Sequence, residues 1–204
     1  MDLSALSRVY RDRRQDLEGL AQRARYHLQR NIQQKKLKVH ALEHRVKDLD
    51  SLWEKAKRRG AKDPFRDIHD LVGLRVVCLF RSDVPKILAI IRESFDVIEE
   101  EDKEAMSESR TFDYTAVHVL ARMKLDSTVS TQTGPTQVPF EIQVRTIGQD
   151  AWACVSHHLA YKQEDRLSRD RLRDLHALVA LFYLADIHFE FLKEASEQPL
   201  PHKE

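Results

Sequence analysis

The sequence predicts an α/β (α+β) domain: a mixed β-sheet of about five strands flanked by helices, with helical N- and C-terminal extensions. Three observations predict it. From Val138 to Arg145 the chain alternates, with Phe140, Ile142 and Val144 between Glu141, Gln143 and Arg145, the period-2 pattern of a strand with one apolar and one polar face. Leu74 to Phe80 is apolar on both faces apart from Arg75, as a central strand requires, and a helical pattern and a further strand-like stretch follow it. Both ends of the chain carry apolar residues at spacings of three and four among many charges, the signature of amphipathic helices.

At 204 residues the chain is long enough for one sizeable core, with an N-terminal helical extension expected at 1–35, the core at 36–163 and a C-terminal helical extension at 164–204. The formal net charge of +1, with 33% of residues charged, argues against the basic bias of a general nucleic-acid binder, so any basic site is local. Cys78 and Cys154 lie in apolar stretches without metal-like spacing, which suits buried free thiols in a reducing compartment. The N-terminus lacks the apolar core of a signal peptide, and no stretch approaches the roughly 20 apolar residues of a membrane span. A soluble, cytoplasmic protein is expected.

Taken in order, residues 3–33 read as one long amphipathic helix or two, with Leu17, Leu20, Ala21, Ala24 and Leu28 on one stripe and the arginines on a solvated face. Gln34 to Lys47 contains a weak strand. Ser51, with Glu54 three residues on, reads as a capping box at the start of a helix that ends at Gly60. Arg45, Lys47, Ser51 and Lys55 therefore gather where a strand feeds a helix N-terminus, and backbone N–H groups there add to their charge; a triphosphate suits such a place. A merely basic helix end accounts for Lys57, Arg58 and Arg59. Asp70 and Gly73 precede the Leu74–Phe80 strand, where an Asp is most often a turn carboxylate.

Ser82 fits an N-cap for a helix to Phe95, with Pro85 in its first turn, and Asp96 to Glu99 is the next strand. The acidic run that follows reads as a mobile loop. Thr111 to Leu125 reads as a strand with Tyr114, Ala116, His118 and Leu120 on one face; Tyr114 and His118 then lie about 13 Å apart, far enough to contact two ends of one nucleotide or simply to sit in a core. Residues 127–137 are a polar turn region, and 166–196 a second amphipathic stretch suited to packing or assembly.

Four ordered elements between residues 45 and 162 now stand together: Arg45-x-Lys47-x-x-x-Ser51-x-x-x-Lys55, Asp70-x-x-Gly73-x-Arg75, Tyr114-x-x-x-His118 and Glu141-x-Gln143-x-Arg145-Thr146. The ordered set resembles the RelA/SpoT-type nucleotide pyrophosphokinases, which make the alarmone (p)ppGpp. The resemblance implies a nucleotidyltransferase-like fold and transfer of the β,γ-pyrophosphate of ATP to the ribose 3'-hydroxyl of GDP or GTP, with release of AMP. It implies ATP binding by Arg45, Lys47, Ser51, Lys55 and Arg75, the two arginines sandwiching the adenine. Asp70 and Glu141 would hold Mg2+, with Glu141 or Gln143 at the attacking hydroxyl. Acceptor binding would fall to Tyr114, stacking on the base, His118 and Arg110 at the phosphates, and Arg145; Asp150 would face the guanine edge.

The pattern departs from the family at Asp113, where glycine is usual, and in lacking a lysine shortly before it. A toxin-like member acting on an adenine nucleotide or a tRNA end is therefore an alternative, and a catalytically inactive nucleotide-binding module is another, of a different class. His69-Asp70 also resembles the doublet of the family's hydrolase domain, but that domain needs further ligands on helices and this doublet runs into a strand. With no regulatory or hydrolase domain beside the core, the chain resembles a small stand-alone synthetase, often a homotetramer.

Overall fold

A computed structural model describes residues 2–102, 114, 116–124, 138–163 and 169–197. The elements are α1 (Leu3–Gln34), β1 (Val39–Val46), α2 (Leu49–Arg59), α3 (Pro64–Asp67), β2 (Val72–Cys78), a 3-10 turn (Arg81–Asp83), α4 (Val84–Ser94), β3 (Phe95–Asp102), β4 (Val117–Met123), β5 (Phe140–Thr146), α5 (Ile147–Gln163) and α6 (Arg169–Glu197). Five strands form one sheet in the order β1-β2-β5-β4-β3. Among the described residues only the β2/β5 pair is parallel, so the sheet is mixed as expected, and β5 lies at its centre.

The two faces of the sheet differ because its strands alternate. Leu74, Val76, Val119, Ala121, Phe140, Ile142 and Val144 are buried on one face, where α1 and α4 cover them. On α1, one unbroken helix, the stripe Leu17, Leu20, Ala21, Ala24 and Leu28 is fully withdrawn from water, and Ile87, Ile90 and Ile91 do the same from α4. The opposite face carries the polar members of the alternation.

Local chemistry moves several boundaries. Asp48, not Ser51, caps α2: its carboxylate takes the Ser51 N–H at 2.8 Å and the Ser51 hydroxyl at 2.9 Å, because the helix starts three residues earlier than a Ser51 cap allows. Gly60 ends that helix as expected, in the left-handed region at φ 61°. Around Pro64 the chain makes a short helix, with the Asp63 carboxylate accepting from Phe65 N–H at 3.1 Å. Ser82 is not the cap of α4 either. The 3-10 turn intervenes, and Ser82 instead ties to α6, its N–H donating to Glu190 at 3.0 Å and its hydroxyl accepting from Lys193 at 2.6 Å. β3 runs on through Asp102, so the start of the acidic run is strand rather than loop. Cys78 is buried as expected, with burial pushing its thiol up to about 12, whereas Cys154 is exposed on α5.

Candidate active site

The register of the sheet lines up side chains that lie far apart in sequence. One cross-strand row on the polar face reads Arg45, Gly73, Glu141, Leu120, Glu99, and the next reads Glu43, Arg75, Gln143, His118, Glu101. Arg45 lies over Gly73, 3.7 Å from where a Cβ would be, so the glycine leaves the first row open between Arg45 and Glu141. A cavity of about 360 Å³ opens over these rows, lined by Arg45, Lys55, Arg59, His69, Asp70, Glu99, Glu101, His118, Leu120, Glu141 and Gln143.

Asp70 enters from the turn before β2 and meets two ammonium groups, Lys55 Nζ at 2.5 Å and Lys47 Nζ at 3.2 Å. Lys47 is held from both sides of its backbone: its N–H donates to Leu71 O at 2.8 Å and its carbonyl accepts from the Tyr10 hydroxyl at 2.9 Å. Burial disfavours the charged Asp70 carboxylate, but the two lysines outweigh it and hold its pKa below the ordinary value. One of its oxygens, Oδ1, is buried without a hydrogen-bond partner.

Glu141 is likewise withdrawn from water yet held ionised. Desolvation raises its pKa and the Asp70 charge adds to that; hydrogen bonding and charge at His118, with help from Gln143, win and lower it. His118 Nδ1 pairs with one Glu141 oxygen, and Gln143 Nε2 lies 3.4 Å from the other. Next to them Gln143 accepts from Arg145 at 2.8 Å, and Asp150, in the first turn of α5, accepts from Arg75 at 3.1 Å and Arg145 at 3.5 Å. Arg145, desolvated and beside Arg75, has its pKa lowered. Arg45, Arg75, Gln143 and Arg145 also line a second, adjoining cavity of about 710 Å³ with Cys154, His157 and His158.

Of the residues singled out from sequence, the first cavity collects Arg45, Lys55, Asp70, His118, Glu141 and Gln143, with Lys47 ion-paired at its edge and Arg75, Arg145 and Asp150 alongside. Ser51 lines neither cavity; its hydroxyl is spent on Asp48. Tyr114 is not cofacial with His118. The strand begins only at Val117, and Tyr114 is 2% exposed, its hydroxyl bonded to Asp186 of α6, which together with burial raises its pKa. Arg110 and Asp113 lie outside the described residues, as do residues 127–137. Sequence reasoning missed Arg59, Glu99 and Glu101 as cavity residues. The alternation of Glu99 and Glu101 was a signal, but only the register shows which cavity they enter.

Residues 44–166 match the family model described as the region found in RelA / SpoT proteins. The chain is 26% identical over 146 residues to the GTP pyrophosphokinase YwaC of Bacillus subtilis, covering 70% of this chain and 68% of that one. It is 32% identical over 123 residues to GTP pyrophosphokinase YjbM of the same organism, covering 58% and 54%. Among solved structures, a GTP pyrophosphokinase family protein from Streptococcus pneumoniae superposes with a TM-score of 0.74 at 24% identity, over 97% of this chain and 96% of that one. Small alarmone synthetase 1 from Bacillus subtilis, bound to its product pppGpp, gives 0.70 at 24% identity, over 94% and 98%. At that identity the two structures establish the fold.

Proposed function

The chain belongs to the RelA/SpoT family, and from that premise we propose that it is a pyrophosphokinase that moves the β,γ-pyrophosphate of ATP to the ribose 3'-hydroxyl of GDP or GTP, yielding (p)ppGpp and AMP. The relatives named GTP pyrophosphokinase support the acceptor. The observation that carries the chemistry is the convergence of two ionised carboxylates, Asp70 and Glu141, with Lys55 and Arg59 on one cavity.

Such transfer is mainly positioning and charge neutralisation, and the residues divide accordingly. Lys47, Lys55 and Arg59 form the cationic wall that receives the triphosphate. Arg45 and Arg75, diagonal neighbours across β1 and β2, flank the adenine. Glu141 takes the proton from the attacking 3'-hydroxyl while AMP departs from the β-phosphorus, a role that needs a carboxylate kept ionised, as this one is. Gln143 and His118 orient it, so His118 acts on the base rather than on the acceptor phosphates.

Asp70 and Glu141 fit a Mg2+ ion. Both present hard oxygen ligands, the buried Asp70 Oδ1 lacks any other partner, and two carboxylates plus substrate phosphates are the set such an ion takes. Among the described residues no group of three or more His, Cys, Asp and Glu forms a metal cage. When bound, the ion supplies neutralisation of the charge on the transferred phosphates.

The site residues sit on residues 36–163, and α1 and α6 flank that core as helical extensions. Leu181, Phe191 and Leu192 are exposed on α6 and support a homo-oligomer, a tetramer by the family's habit. The cytoplasm, where ATP and GTP meet, is the compartment proposed. No helix of the described residues is long and apolar enough to cross a membrane.

The test offers ATP labelled on its γ-phosphate and Mg2+ with GDP, GTP, ADP or tRNA in turn. Label entering GDP or GTP supports the proposal. Label entering only ADP or tRNA replaces the acceptor, and no transfer to any of them leaves a nucleotide-binding module.

A further inference from the structure

The junction between β5 and α5 is built from buried polar groups. Thr146 ends the strand and caps the helix: its hydroxyl accepts the Gln149 N–H at 3.1 Å, and its own N–H donates to Gln149 Oε1 at 2.9 Å, a reciprocal capping box. Thr146 is 1% exposed and Gln149 7%. Into this junction α6 inserts Asp186, also 1% exposed. Its carboxylate accepts from the hydroxyls of Thr146 and Tyr114 and from the Gly148 N–H at 3.3 Å. Three donors and the positive end of a helix make this a satisfied place for a buried carboxylate.

The fit depends on glycine at 148. A Cβ there would lie 2.5 Å from the Tyr114 hydroxyl and 2.9 Å from Asp186 Oδ1, closer than real Cβ atoms come, so the pair can dock only against a bare backbone. Two residues further along the first turn of α5 is Asp150, the shared acceptor of Arg75 and Arg145. A continuous path of contacts therefore runs from α6 through the capped start of α5 to the two arginines beside Gln143.

We propose that Asp186 is a positioning residue: by clamping the start of α5 it fixes Asp150, and through Asp150 it fixes the Arg75 and Arg145 guanidinium groups where nucleotide binds. This role rests on the nucleotide-transfer reading above, but it shows in binding as well as in turnover. It also gives Tyr114 a different task from stacking on a base, because its hydroxyl is one of the donors that hold Asp186.

The experiment is a double-mutant cycle on the dissociation constant of a non-hydrolysable ATP analogue, with wild type, Asp186→Asn, Asp150→Asn and the double variant. Each single change is expected to weaken binding about tenfold, since each breaks charge-assisted hydrogen bonds. The double variant is expected to bind no more weakly than Asp150→Asn alone, because the two act in series. Losses that multiply in the double variant would overturn the proposal, as would a folded Asp186→Asn protein that binds like wild type. If Asp186→Asn does not fold, Tyr114→Phe, which removes one donor, takes its place in the same cycle with an expected loss of about two- to threefold; an unchanged constant there overturns the proposal too. Wild-type protein that binds the analogue but transfers nothing to GDP or GTP would refute the reaction and leave the coupling to be judged by the cycle.

Discussion

Replacing Asp70 by Asn should destabilise the folded protein as well as silence it. Active-site carboxylates often repel one another, so removing one can relieve strain, and the Asp70 charge does work against an ionised Glu141. Here the opposite outcome is expected because of what else Asp70 touches. Its carboxylate neutralises Lys47 and Lys55, whose side chains are only 12% and 19% exposed. An Asn of the same shape leaves two ammonium groups facing each other without a counter-charge. Breaking a fully buried pair costs 3–5 kcal/mol, and partial exposure lets these lysines recover some hydration, so the loss should be about 2 kcal/mol. For a chain of this size that lowers the melting temperature by about 4–8 °C.

The same reasoning fixes the pH dependence. Asp70 has a lower pKa folded than unfolded, so its stabilising contribution is fully present above the ordinary aspartate value and disappears as pH falls through the depressed folded value. Thermal melts of wild type and Asp70→Asn should differ at pH 7, begin to converge below about pH 4 and meet once the pH is below the depressed folded value. A variant that melts at or above the wild-type temperature at pH 7 would refute the claim that the lysines outweigh the neighbouring carboxylate.

Three further outcomes follow from single contacts. Arg59→Ala should raise KM for ATP about tenfold while Arg58→Ala leaves it unchanged, because only Arg59 lines the cavity; steady-state kinetics at varied ATP decide it. Gly148→Ala should cost about 1–3 kcal/mol in urea unfolding, and adding Tyr114→Phe should recover part of that by removing the hydroxyl that the new methyl meets. Gly60→Ala should cost about 1 kcal/mol from its left-handed backbone alone, since nothing lies within 4 Å of the added methyl, and it should leave transfer rates untouched.

Much of the site was legible in the sequence wherever local periodicity carried the information. Glu141, Gln143 and Arg145 announced a one-sided strand, and their face is the polar face of the sheet. Asp70 and Lys55 fell at a turn and on a helix that the local pattern located, and they meet at 2.5 Å. What the sequence did not disclose depended on pairing between distant segments. The period-2 pattern could not say that the strand around His118 begins at Val117, so Tyr114 was assigned to the wrong face. Nor could spacing show that Glu99 stands in the same cross-strand row as Glu141, or that Arg59 lines the cavity with Asp70 while Arg58 does not. Ser51 misled for a smaller reason: Asp48, an equally good cap, lies three residues earlier and takes the N–H of Ser51 itself. Asp186, some 40 residues from the junction that it holds, carried no local signal at all.

The most direct measurement is a nucleotide balance for purified protein with ATP, GDP and Mg2+, compared with Glu141→Gln. The account predicts one AMP formed for each GDP consumed, with the product heavier than GDP by a pyrophosphoryl group. In the variant the rate should fall by about 10²- to 10⁴-fold, the loss expected for a general base. Formation of ADP in place of AMP, or a Glu141→Gln protein that turns over like wild type, would contradict it.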